Sequence, residues 1–217
     1  MVGEGGPIRD DDHGDGDSGD APRRRERPVP PIPDEARLYE RALRYLARFA
    51  ASEGRLADVL RRKALREGRL HGLSDGQVEE MIRNVVARVR GAGYVDDKAY
   101  ALTRARGLAG RGRSLRRVRA DLASRGVDRE TVDGAVARLR EEQADPELVA
   151  ALVLARRKRL GPWRPVGRIE NRSRDVEYLV RAGFDSRLAR EIVGAATPEE
   201  LEERLAELLA EDGSPLG

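Results

Sequence analysis

The sequence predicts an all-α protein: a tandem array of three three-helix repeats of helix-turn-helix-like form, elongated and curved, with a disordered N-terminal tail and an extra C-terminal helix. Three observations predict it. Apolar residues recur three and four positions apart through most of the chain, and no strand-like alternation appears. A unit repeats: a helix ending in Gly, a short link, a Ser or Asp cap, then apolar residues at helical spacing. Its caps are Ser74, Asp128 and Asp185, 54 and 57 residues apart. Finally, aromatics are 4% and charged residues 37%, which suits small helices with wide solvated faces better than a thick sandwich core. A unit of this size buries too little apolar area to stand alone, so neighbouring units must stack.

Residues 1–34 are rich in Gly, Asp and Pro and end in Arg23-Arg24-Arg25 and Pro28-Val29-Pro30-Pro31-Ile32-Pro33. Such a segment cannot offset its ordering entropy by burial, which predicts disorder. His13, beside Asp10, Asp11, Asp12 and Asp15, reads as part of a solvated acidic tail, since nothing fixes a ligand geometry there. The first repeat, 35–95, opens with a helix at about 35–50 that places Leu38, Ala42, Leu43, Leu46 and Phe49 inside. Its second helix, about 53–67, starts at the Ser52 cap, buries Leu56, Val59, Leu60 and Ala64, and stops at Gly68. The third, from Ser74 to about Arg90, buries Val78, Ile82, Val85, Val86 and Val89 and ends at Gly91 and Gly93.

The second repeat, 96–144, begins where Asp96 and Asp97 cap a helix with Tyr100, Ala101, Ala105 and Leu108 on its apolar face. Gly110-Arg111-Gly112-Arg113 breaks that helix. Ser114 caps the next, whose stripe is Leu115, Val118 and Leu122 and whose stop is Gly126. A helix at about 129–143 follows Asp128, with Val132, Val136 and Leu139 inside. In the third repeat, 145–194, Asp145-Pro146 opens a helix at about 146–160, with Pro in the first helical position. A loop through Gly161-Pro162-Trp163 and Pro165 leads to helices at about 172–182 and 186–194, separated by Gly183 and the Asp185 cap. Residues 195–217 hold an acidic helix at about 198–211, with Leu201, Leu205, Leu208 and Leu209 on one face. It reads as a cap on the last repeat, and docking of its acids on the basic body is the alternative. Trp163 reads as a plug in a hydrophobic seam, with stacking on a base as the alternative.

The net charge of +3 conceals a regional pattern. Residues 1–34 carry a net −4, residues 195–217 a net −6, and the body between them a net +13. A basic body between acidic ends points to a polyanionic partner. There is no Cys, which excludes a disulfide framework and a thiolate metal site. No apolar run is long enough to span a membrane, and the first residues lack the apolar core of a signal peptide. The chain therefore reads as a soluble cytoplasmic monomer.

The cations gather in three clusters, one per repeat. They are Arg61, Arg62 and Lys63; Arg111, Arg113, Arg116, Arg117 and Arg119; and Arg156, Arg157, Lys158 and Arg159. In a stacked array they line up as a stripe. The planar arginine fork donates paired hydrogen bonds to phosphate or carboxylate. Such a stripe suits a DNA backbone, or the acidic surface of a protein filament that encloses DNA. Few Asn or Gln accompany the arginines, which argues against base readout in a groove.

No catalytic constellation emerges. His71, between Leu70 and Gly72, reads as a solvated turn residue, and Asp96-Asp97 as a helix cap rather than a metal site. Gly107, Gly110 and Gly112 match no phosphate-binding loop. Neither a cofactor nor a metal is expected.

One stretch carries a family resemblance. Gly93-Tyr94-Val95-Asp96-Asp97, Tyr100-Ala101 and Arg104 lead to Arg111-Gly112 and Leu115-Arg116-Arg117-Val118, then Leu122 and Gly126-Val127. Ala155-Arg156-Arg157-Lys158 follows at matching distance. In this order and spacing they resemble the RecX regulatory proteins, modulators of the bacterial RecA recombinase, over residues 36–194. The resemblance implies three tandem helical modules. It implies a non-enzymatic regulator of DNA repair and recombination that binds the RecA–single-stranded DNA filament and restrains its ATPase, strand-exchange and coprotease activities. The alternative is a stand-alone, sequence-nonspecific DNA-binding protein, architectural or transcriptional. Two features depart from the family pattern: the Gly68-to-Ser74 link is longer than the Gly126-to-Asp128 link, and both acidic ends lie outside it.

Overall fold

In a computed structural model of the chain, residues 30–211 are described. They form ten α-helices and one 3-10 turn, with no strand among the described residues. The helices are α1 (Glu35–Leu46), α2 (Glu53–Leu70), α3 (Asp75–Gly91), α4 (Asp97–Ala109), α5 (Leu115–Ala123) and α6 (Arg129–Glu142). They continue as α7 (Pro146–Lys158), α8 (Arg172–Ala182), α9 (Ser186–Gly194) and α10 (Pro198–Glu211), with the 3-10 turn Gly161–Trp163 between α7 and α8. The disorder predicted for the tail and the acidic cluster around His13 lie outside the described residues, apart from 30–34. There Asp34 already caps α1, its carboxylate accepting from the Arg37 N–H at 2.8 Å.

The caps are those the side chains dictate. Ser52, Ser74, Ser114, Asp128, Asp145 and Asp185 each accept a hydrogen bond from an N–H of the first helical turn. Each such cap contributes about 1 kcal/mol. Ser74 and Gln77 close a full capping box.

The ends correct two expectations. Gly68 does not stop α2. The helix runs on to Leu70 and turns at Gly72, which has φ +74°. Gly68 serves packing: a methyl there would sit 2.6 Å from Val78 Cγ2 of α3. With Gly72 as the stop, the first link (Gly72 to Ser74) has the same length as Gly126 to Asp128 and Gly183 to Asp185. The apparent departure in the first repeat disappears. At all three ends a 6→1 bond closes the turn: Leu73 N–H to Gly68 O at 3.0 Å, Val127 to Leu122 at 3.3 Å, Phe184 to Leu179 at 3.1 Å. The second correction is α1, which ends at Leu46 rather than 50, so Phe49 leaves the apolar stripe and stands 56% exposed.

The buried side chains form three clusters, one per helix triplet. Leu38, Leu56, Leu60, Ile82 and Val85 centre the first; Ala101, Ala105, Val118, Leu122 and Val136 the second; Leu152, Leu179, Phe184 and Ile192 the third. Leu201 and Leu205 of α10 join the third cluster. Trp163 packs there too and donates from Nε1 to Glu202 at 3.0 Å, which fastens α10 to the seam. The side chain of Leu209 lies outside the described residues. His71 is the half-buried C-cap residue of α2 rather than a solvated one.

Arginine–carboxylate clasps tie segments within each triplet, among them Arg41 with Glu67 at 2.9 Å, Arg104 with Asp121, and Arg164 with Asp175. Glu67 and Asp175 are buried. Such pairs are costly to break from one side, because the remaining charge keeps its desolvation cost without its partner.

The triplets join by a repeated device. Ser52 Oγ donates to the Arg125 carbonyl, and the Glu53 N–H donates to Asp97 Oδ1 at 2.8 Å. At the next junction Ser114 Oγ donates to the Ala182 carbonyl at 2.9 Å, and the Leu115 N–H donates to Glu147 Oε2 at 2.7 Å. In both, the cap of a middle helix bonds the end of the next triplet's middle helix. A carboxylate from the next triplet's first helix satisfies the N–H that follows. Burial pushes both carboxyls, Asp97 and Glu147, above their ordinary range, and the N–H each accepts works against that shift.

Candidate nucleic-acid interface

The second junction brings two of the three predicted cation clusters together. Gly112, with φ +76°, presses its Cα against α7; a methyl on it would lie 2.9 Å from Leu154 N. Only a glycine meets both the backbone angle and the contact. This seats the turn between α4 and α5 on the last turns of α7, with Arg111 and Arg113 on either side of the contact. Arg157 of α7 donates from Nη1 to the Arg111 carbonyl at 2.9 Å. Arg117 of α5 donates from Nη2 to the Arg181 carbonyl at the end of α8, at 3.1 Å. Both guanidiniums thus rest on carbonyls at or just past helix C-termini, the negative ends of helix dipoles, and keep their full charge. Arg116 reaches the same place, its Nε close to the open side of Gly183. Lys158 and Arg159 continue from Arg157. Arg159 closes α7 with φ 52°, the left-handed position that Gly72, Gly126 and Gly183 take elsewhere.

The twelve predicted cations divide by partner. Arg111, Arg113, Arg116, Arg117, Arg157, Lys158 and Arg159 at this junction make no ion pair among the described residues and are exposed. Two neighbours are neutralised: Arg119 pairs with Asp133 at 3.3 Å and Arg156 with Glu202 at 3.4 Å. The α2 cluster stands apart, sharing no hydrogen bond or ion pair with the other two among the described residues. Arg61 is clamped by Glu79 and Asp58, both at 2.5 Å, and Lys63 pairs with Glu67 at 3.5 Å. Only Arg62 of that cluster is exposed without a carboxylate. The hydrogen bond to Glu79 raises the Arg61 pKa and holds the Glu79 carboxyl below its usual range, although burial opposes both shifts. A committed pair of this kind offers little to an incoming anion.

Seven uncompensated cations on one junction make a local positive field that favours a polyanion and is weakened by salt. The pattern of charge was legible in the sequence. The neutralisation of Arg119 and Arg156, and of Arg61 by Glu79, was not, because those partners come from other helices; only Asp58 lies within the helix of Arg61. No helix among the described residues is long and apolar enough to cross a membrane, and no group of three or more metal-ligating side chains converges among them.

Comparison with known proteins places the chain in a family. The family model described as RecX, second three-helix domain, matches residues 96–136, which are α4, α5 and most of α6. The chain is 38% identical over 158 residues to the regulatory protein RecX of Myxococcus xanthus, covering 72% of this chain and 83% of that one. It is 33% identical over 167 residues to the regulatory protein RecX of Agrobacterium fabrum, covering 76% and 86%. Among solved structures, RecX from Lactobacillus salivarius superposes with a TM-score of 0.55 at 17% identity, over 78% of this chain and 97% of that one. A second crystal structure of regulatory protein RecX gives 0.51 at 21%, over 74% and 71%. At those identities the likeness to the two structures is one of fold. With the sequence relatives it has one meaning: the chain belongs to the RecX family of regulatory proteins.

Proposed function

We propose that this protein is a non-enzymatic, monomeric, cytoplasmic regulator that binds the RecA–single-stranded DNA filament and restrains its ATPase, strand-exchange and coprotease activities. The observation that supports this reading best is the cluster of unpaired cations where the second triplet meets the third; four of the seven, Arg111, Arg113, Arg116 and Arg117, lie inside the segment that matches the family model. A filament of recombinase on DNA offers both phosphate and carboxylate, and the arginine fork suits either. Contacts spread along a helical filament add up to tight binding even when each is weak. The reading asks no catalytic group of this chain, only charge held in place by a rigid junction.

The test is single-stranded-DNA-dependent ATP hydrolysis by the host recombinase, with this protein titrated in at about 150 mM salt, where nonspecific phosphate binding is weakened. The expected result is inhibition at well below one regulator per recombinase. No inhibition at any ratio, together with tight binding to bare duplex, would contradict it and favour a stand-alone DNA-binding protein.

A further inference from the structure

An open groove of about 680 Å³ runs between the end of α1 and the outer face of α4. Phe49, Tyr94 and Tyr100 line it, with Thr103, Gly107 and Arg111 among the other lining residues. The chain has only two Phe, five Tyr and one Trp. Phe49 and Tyr94 are each 56% exposed, and Tyr45 braces Phe49 with ring centroids 5.2 Å apart. Other rings are committed: Tyr39 lies beneath the Arg88 guanidinium at 4.1 Å, Trp163 bonds Glu202, and Phe184 is buried. The two most exposed rings of an aromatic-poor chain therefore face one groove, and neither belongs to the three buried clusters.

The charges around the groove select its occupant. Arg104 and Arg125 on its wall are both spent on Asp121. The Asp96 carboxylate is spent on the N–H groups of Lys98 and Ala99, at 2.9 and 3.0 Å. Arg111 alone on the lining is a cation without an acid, and its carbonyl is held by Arg157 of the basic junction. The groove thus shares Arg111 with the unpaired cations of the junction.

We infer that Phe49 and Tyr94 form a stacking platform for unpaired bases of single-stranded nucleic acid, whose phosphates run from Arg111 onto the junction cations. This rests on the reading that the junction meets nucleic-acid phosphate, and it adds which form of nucleic acid is held. A flat ring stacks on any base, so the platform is indifferent to sequence, and a duplex with its bases paired inside gains nothing from it.

The experiment measures binding of the full chain to an oligothymidylate carrying one 2-aminopurine, and to a duplex of equal length, at about 150 mM salt. Anisotropy reports affinity, and 2-aminopurine quenching reports stacking. Phe49→Ala and Tyr94→Ala each weaken single-strand binding roughly tenfold, reduce the quenching, and leave duplex affinity and the salt slope unchanged. Phe49→Tyr binds like the parent. Circular dichroism checks that the variants are folded. Unchanged single-strand affinity in both alanine variants overturns the inference, as does an equal loss on single strand and duplex. If the alanine variants bind single strands normally but no longer inhibit recombinase ATPase, the groove takes a protein side chain. That outcome overturns the platform while leaving the filament reading intact. Conversely, normal ring effects in a protein that never inhibits the recombinase would sink the filament reading alone.

Discussion

At the Asp121 carboxylate, Arg104 arrives from α4 and Arg125 from just beyond the end of α5. The bond from Arg104, reinforced by Arg125 against the opposing effect of burial, holds this carboxyl below its ordinary range. A carboxyl whose folded pKa lies below its unfolded value stabilises the fold above the ordinary Asp range, and the benefit is lost as pH falls through the folded value. Asp97 and Glu147 have the opposite sign. Their raised values mean that ionisation costs stability, a cost relieved as pH falls. The two kinds of group therefore oppose one another in acid. Substituting Asp121→Asn removes one side of that balance. The variant is expected to be less stable than the parent near pH 7, by about 2 kcal/mol for the lost charged hydrogen bonds, and the gap should close toward pH 3. Urea midpoints across that range check it, and a gap that widens in acid would refute the sign.

Helix-level packing depends on two glycines that touch across the first junction. A methyl on Gly54 of α2 would fall 2.6 Å from the Cα of Gly126 at the turn after α5. Ala normally stabilises a helix interior by about 1 kcal/mol over Gly. Here backbone meets backbone and neither side can yield, so Gly54→Ala is expected to destabilise by about 2 kcal/mol. Gly134 of α6 meets nothing within 4 Å, and Gly134→Ala is expected to stabilise by about 0.5–1 kcal/mol. Opposite shifts of the urea midpoint for the two variants are the expected outcome. The helices themselves were legible because caps and apolar spacing act within a few residues, as at Ser74 and Val78. The Gly68 stop was misplaced because its true role is contact with Val78, ten residues on and in another helix. Phe49 continued the spacing of Leu46 on paper, but α1 had already ended. Its groove also needs Tyr94, which no local pattern connects to it.

For the whole molecule, the basic body foreseen from net charge resolves into unequal parts. The α2 cluster is largely neutralised by Asp58, Glu79 and Glu67, whereas seven cations of the second junction pair with no carboxylate among the described residues, and two of them, Arg117 and Arg157, rest on helix-end carbonyls instead. Composition could locate the arginines but not the partners that tertiary packing supplies, Glu79 for Arg61, Asp133 for Arg119 and Glu202 for Arg156. On the proposed reading, the unpaired junction cations, rather than basic residues in general, carry contact with the filament. The most direct measurement compares two double variants in the recombinase ATPase assay at about 150 mM salt. Arg113→Ala with Arg157→Ala is expected to raise the half-inhibiting concentration roughly tenfold and to reduce its salt dependence. Arg61→Ala with Arg119→Ala is expected to change it less than about twofold, because those side chains are already paired. Equal effects from both pairs, or a larger effect from the paired arginines, would contradict a role for the junction cations in filament contact.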